Sequence, residues 1–200
     1  MTSRFSIHYS KIYASQVLSL QELALVEPLC VGYHAANRGR VSEIDTCLVI
    51  GCGTVGVGVI AAATRKGATV IATDIDEAKL SSARVFGARY AINSSSEGLL
   101  EEIARLTDGE GVNVVVEAVG LPQTYRLAIE AVCYAGRVVY IGYSKKEVCY
   151  DTKEFVRKEL DIRGSRNALR EFPAVIKMLE QRERPFASMI SKVYPFEETA

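Results

Sequence analysis

The tightest constraint on the fold is an alternation: six short runs rich in β-branched residues recur along the chain, and segments with helical apolar spacing lie between them. The runs are CLVIG (47–51), TVIAT (69–73), RYAIN (89–93), VNVVVEAV (112–119), RVVYIG (137–142) and LDIRG (160–164). TVGVGVIAAATRKG, DEAKLSSARVFG, SEGLLEEIARLTDG and LPQTYRLAIEAVCYAG intervene, each ending at a glycine or reaching one soon after. Strand, helix, strand in repetition predicts parallel pairing. Parallel neighbours need a crossover, which is right-handed almost without exception, so helices must coat both faces of the sheet. VVVE and VVYI are nearly continuous apolar runs, as doubly buried strands should be. The expected class is α/β, a doubly wound six-stranded parallel sheet.

Composition removes several functions. Lysine plus arginine equals aspartate plus glutamate at 24 each, so no net field favours nucleic acid or an anionic membrane, and neither is expected as a partner. No run approaches the ~18 apolar residues of a membrane helix, and MTSRFSIHYSK is too polar for a signal peptide. The five cysteines include no C-x-x-C pair, which argues against a disulfide framework and a structural zinc site. Cys47 and Cys133 read as packing residues, and a reducing compartment, the cytoplasm, is expected.

CLVIGCGTVG places Gly51, Gly53 and Gly56 at G-x-G-x-x-G spacing, closing the first strand and opening a helix. Gly51 suits the tight turn, Gly53 a close approach to a pyrophosphate, and Gly56 a helix packed close to the sheet. The amides near Thr54, Val55 and Gly56 then point at phosphates with the positive end of the helix dipole behind them. A triphosphate loop would need G-K-S or G-K-T, which is absent. Asp74 ends the second strand 23 positions after Gly51, near the ~20-residue offset of an acid that holds an adenosine ribose. Its charge opposes a 2′-phosphate and Ile75 follows it, so NAD is preferred over NADP. Lys79 sits near the adenine side or is an exposed helix lysine. S-adenosylmethionine-dependent methyltransferases and FAD proteins share these features and stay open at this point.

From GCGTVGVGVIAAATRKGATVIATDIDEAKLSSARVFGARYAIN the chain resembles the Rossmann coenzyme domain of the medium-chain, zinc-type alcohol dehydrogenases. LTDGEGVNVVVEAVG, GRVVYIGYS, RKELDIRGSRNA, FPAVIKMLE and ISKVYPFEE extend the likeness over most of the chain, and ALVEPLCVGYHAANR (24–38) makes it most similar to the polyol, threonine and sugar-acid branch. The resemblance implies that the parent enzyme oxidises a secondary alcohol, zinc polarising the alcohol oxygen while hydride passes to the nicotinamide. It places Glu27 of the E-P-L motif beside the zinc as a candidate ligand, though an acid before Pro28 also suits a helix start. It sets the backbone of Val119, Gly120, Gly142 and Tyr143 around the nicotinamide ribose and carboxamide; Tyr143 equally suits a strand-end aromatic. Arg166 resembles a position on the nicotinamide side, and His34 reads as packed rather than catalytic.

The family's catalytic domain, with its cysteine and G-H-E motif, has no counterpart here, and the two histidines, His8 and His34, cannot complete a zinc site. The expected organisation is a lead-in segment and helix over 1–40 and an NAD-binding domain over 41–200, cut at its C-terminus, where PFEETA announces a helix without delivering it. Catalytic residues are expected in none of these positions. A homodimer or homotetramer through an edge strand near Leu160–Gly164 is expected, and a non-catalytic NAD-sensing or dimerisation module is the alternative from another class.

Overall fold

A computed structural model of the protein describes residues 6–195 and 198. The strands are β1 (Thr46–Ile50), β2 (Thr69–Asp74), β3 (Tyr90–Asn93), β4 (Val112–Glu117), β5 (Val132–Tyr140) and β6 (Asp161–Gly164). All pair in parallel, in the order β3-β2-β1-β4-β5-β6. The helices are α1 (Leu20–Leu23), α2 (Val26–Arg38), α3 (Thr54–Arg65), α4 (Glu77–Val85), α5 (Leu99–Leu106), α6 (Pro122–Ala131), α7 (Lys153–Arg157) and α8 (Phe172–Glu180). The doubly wound sheet is thus as the alternation predicts. The helix start read in PFEETA falls largely outside the described residues.

The period of two along β1 divides the core. Cys47 and Val49 face a cluster that includes Leu29 of α2, Ile60 of α3, Leu80 of α4 and Val175 of α8. Leu48 and Ile50 face the opposite cluster, with Ile103 of α5 and Ile129 of α6. The strand interior is therefore buried on both sides, and that fixes its register (Cys47 opposite Val70 and Val114) because a one-residue slip would exchange the two faces. Burial pushes the Cys47 thiol up to about 12, in keeping with a packing role.

Two details depart from the periodicity. The lead-in segment contributes α2 to this same core: Leu29, Cys30, Ala35 and Ala36 are fully buried against α3 and α8. The helical pattern of LPQTYRLAIEAVCYAG also stops early, at Ala131, and β5 begins at Val132. Lys158 explains the stop. Its ammonium donates to the carbonyls of Ile129, Glu130 and Val132 at 2.9, 3.0 and 2.8 Å, occupying acceptors that a continuing helix would use. Ala135 then takes φ +52°, outside the right-handed helix, and the β4–β5 register shifts between Val112 and Val114. Burial pushes the Lys158 amine down from its ordinary value.

β3 and β6 are the sheet edges. No helix among the described residues is long and apolar enough to cross a membrane.

Candidate dinucleotide site

The strand order reverses between β1 and β4, and in parallel sheets the crevice beyond the carboxyl ends of such strands is where ligands bind. A cavity of about 760 Å³ opens there. Its lining includes Gly51 and Gly53 of the loop after β1, Asp74, Ile75 and Lys79 after β2, and Val119, Leu121 and Thr124 after β4.

The loop from β1 to α3 has the geometry its glycines suggest. Gly51 sits at φ +96°, a conformation L side chains rarely adopt, and its N–H donates to the Thr73 carbonyl at 2.8 Å. A Cβ on Gly56 would fall 1.9 Å from the Gly51 carbonyl oxygen, so the first turn of α3 closes onto the strand end only because that atom is missing. Gly53 differs: it precedes α3 with extended backbone, and a Cβ there meets nothing within 4 Å. The space it faces is open, as an approach to phosphate requires. Thr54, Val55 and Gly56 form the first turn of α3, whose free N–H groups have no side-chain cap from Gly53.

Asp74 closes β2 beside this loop. Its Oδ2 accepts the Cys52 N–H at 2.8 Å and its Oδ1 accepts the Asp76 N–H at 3.1 Å, while Lys79 Nζ stands 3.9 Å from Oδ1. The tie between Asp74 and the glycine loop is not visible in the sequence. Ionised carboxylate offers about four acceptor positions, so lone pairs remain toward the cavity. Burial, with the Asp74 charge adding to it, pushes the Cys52 thiol up to about 12.

The other candidates separate. Val119 lines the cavity with Asp74 and Ile75, and its neighbour Gly120 packs against the backbone of Gly142 and Tyr143. The Gly142 carbonyl accepts the Tyr125 hydroxyl, and Tyr143 is 72% exposed. Arg166 is exposed on the loop after β6. His34 Nδ1 lies 2.8 Å from Glu171 Oε1, a part-buried pair tying α2 to the start of α8. Glu27 is exposed in the first turn of α2, where its charge favours the helix dipole. Among the described residues no three His, Cys, Asp or Glu side chains gather as a metal would need, so Glu27 is not part of such a set and the residues described do not make a zinc site.

Sequence reasoning missed Glu117, the fully buried acid that ends β4. A carboxylate closing the apolar run VNVVV was the available signal.

The fold and this site define a coenzyme-binding α/β domain. The family model described as zinc-binding dehydrogenase matches residues 54–181, and the chain belongs to that family, corresponding to its coenzyme-binding domain. It is 33% identical over 184 residues to sorbitol dehydrogenase of Bacillus subtilis, covering 91% of this chain and 52% of that protein. With (R,R)-butanediol dehydrogenase of Neisseria gonorrhoeae the identity is 33%, over 84% of this chain and 48% of the relative. The crystal structure of 2R,3R-butanediol dehydrogenase from Bacillus subtilis superposes with a TM-score of 0.80 at 30% identity, covering 88% of this chain and 50% of that one. The chain thus spans about half the length of the relatives it matches.

Proposed function

We propose that this chain holds NAD for an oxidoreductase that moves hydride from a secondary alcohol, a polyol, sugar acid or amino alcohol, with zinc supplied from outside the residues described. The observation that carries the reading is a single cavity lined by Gly51, Gly53 and Asp74 at the strand-order reversal, with α3 beginning directly after Gly53. The first-turn amides of α3 would receive the diphosphate, with the dipole assisting. Asp74 would accept the hydroxyls of the adenosine ribose through its remaining lone pairs. Ile75 and Val119 both line the cavity and supply apolar surface suited to a purine. The Asp74 charge and the apolar Ile75 favour NAD over NADP, with Lys79 Nζ 3.9 Å from the acid. Bound there, the coenzyme supplies hydride acceptance; the residues of this chain supply position. No step through zinc follows from these residues.

Oligomerisation through β6 is part of the same reading. Its outer edge is open, and Ile162 is part-exposed on it. All five cysteines are free, which suits a reducing compartment such as the cytoplasm.

Gly53→Val tests the function. Because a Cβ at Gly53 meets open space, the variant should fold with an unchanged far-ultraviolet circular dichroism spectrum and lose NADH binding in a fluorescence titration. An affinity equal to the parent's would refute the phosphate role of the loop.

A further inference from the structure

Burying a carboxylate is costly unless it is hydrogen-bonded, so a fully buried acid at the end of an otherwise apolar strand calls for a reason. Glu117 is 0% exposed. Its Oε1 accepts three hydrogen bonds, from the Val119 N–H at 2.9 Å, the Gly120 N–H at 2.7 Å and the Thr124 hydroxyl at 2.7 Å. Its backbone carbonyl accepts the N–H groups of Ile141 and Gly142, at 2.9 and 3.1 Å. Its Oε2 is buried without a partner and lies under Gly142, where a Cβ would come within 2.8 Å of it and 2.3 Å of the Gly120 nitrogen. One residue therefore joins the turn after β4, the start of α6 and the end of β5.

Two of the three groups held by Oε1 belong to residues of the cavity wall, Val119 and Thr124, and Leu121 lies between them. A strand end designed for stability alone would bury an aliphatic side chain at this point. We propose that Glu117 is a positioning residue for the nucleotide: its buried carboxylate sets the wall from Val119 to Thr124 at the spacing from Ile75 that a purine needs. The proposal rests on the dinucleotide reading given above and adds to it a residue that touches no ligand. Losing the acceptor would leave the Val119 and Gly120 amides free to turn toward water and the Thr124 hydroxyl with only the Leu121 carbonyl, 2.9 Å away, and the wall would move with them.

The test uses the whole chain, with NADH titrated by fluorescence, ADP by calorimetry, and thermal unfolding measured without ligand. Glu117→Met keeps the length and removes the acceptors; it should weaken both ligands about tenfold, one buried charge-assisted hydrogen bond's equivalent, with circular dichroism unchanged. Glu117→Gln keeps an acceptor at Oε1 and should bind near the parent's affinity. A role confined to stability would lower the melting temperature and leave both affinities alone, and that result overturns the proposal. A glutamine variant as weak as the methionine one overturns it too. If Glu117→Met does not fold, Thr124→Val decides: about threefold weaker binding is expected from one lost hydroxyl bond, and unchanged affinity is fatal. A parent chain that binds neither NADH nor ADP removes the dinucleotide reading itself, a failure visible before any variant is made.

Discussion

Asp74 and Glu117 end the two strands that flank β1, and each accepts a backbone N–H from a loop at the rim of the same cavity. Their surroundings then diverge. Asp74 spreads its two oxygens over two amides and a lysine 3.9 Å away, and its side chain keeps 9% of its surface open. Glu117 gathers three donors on one oxygen and shuts the other away beneath Gly142. The same functional group at equivalent strand ends thus serves two ends: one retains acceptor capacity for a ligand, and the other spends its capacity on shaping the wall that faces it. Exposure to the cavity separates the roles, because a lone pair that solvent reaches can exchange water for a hydroxyl, whereas an enclosed one is fixed at folding.

The largest expected effect is on stability. Glu117→Ala should cost about 3 kcal/mol, since it empties a buried site and strands two amides, while Asp74→Ala should cost about 1 kcal/mol or less because cavity water can replace the acceptor. Chemical denaturation measures both. A ranking in the opposite order would break the contrast between the two acids.

Next comes coenzyme choice. Asp74→Ala should weaken NADH about tenfold, from the loss of charge-assisted bonds to the ribose, and Ile75→Arg should improve NADPH relative to NADH. Titrations in which neither substitution alters either ligand would assign Asp74 to loop support alone.

The smallest effect concerns Cys52, whose N–H Asp74 holds. Burial first, and the Asp74 charge second, raise its thiol from the ordinary 9.0 to about 12, so the thiolate share keeps rising with pH up to about 12 instead of levelling near 9. Alkylation of Cys52, followed by mass spectrometry, should therefore still accelerate about tenfold per pH unit above pH 9, where an ordinary thiol has levelled off. Asp74→Asn should bring the plateau to lower pH. A plateau that does not move would mean that the carboxylate exerts no field on the loop.

Much of this architecture was legible in the chain itself. The six runs from CLVIG to LDIRG are the six strands, because doubly buried parallel strands require unbroken apolar sequence and the helices between them require a different period. The glycine loop was legible for a local reason: Gly51 takes φ +96° and a Cβ on Gly56 would clash with the Gly51 carbonyl five residues before it. The early end of α6 was not legible, because the ammonium that caps it comes from Lys158, 26 positions beyond Val132. Nor was the tie from the Asp74 carboxylate to the Cys52 N–H, because it joins the end of β2 to a loop 22 positions earlier.

The periodicity of apolar residues and the spacing of three glycines and an acid were enough to specify the layered sheet and the loop at its centre, since those features depend on backbone sterics and on which faces exclude water. Folding in three dimensions settled which carboxylate stayed available. Asp74 and Glu117 look alike in one dimension, each an acid after an apolar run, and they part only when Gly142 from β5's end closes over one while the other keeps an open side. Burial is a property of neighbours brought from far along the chain, and no local pattern encodes it.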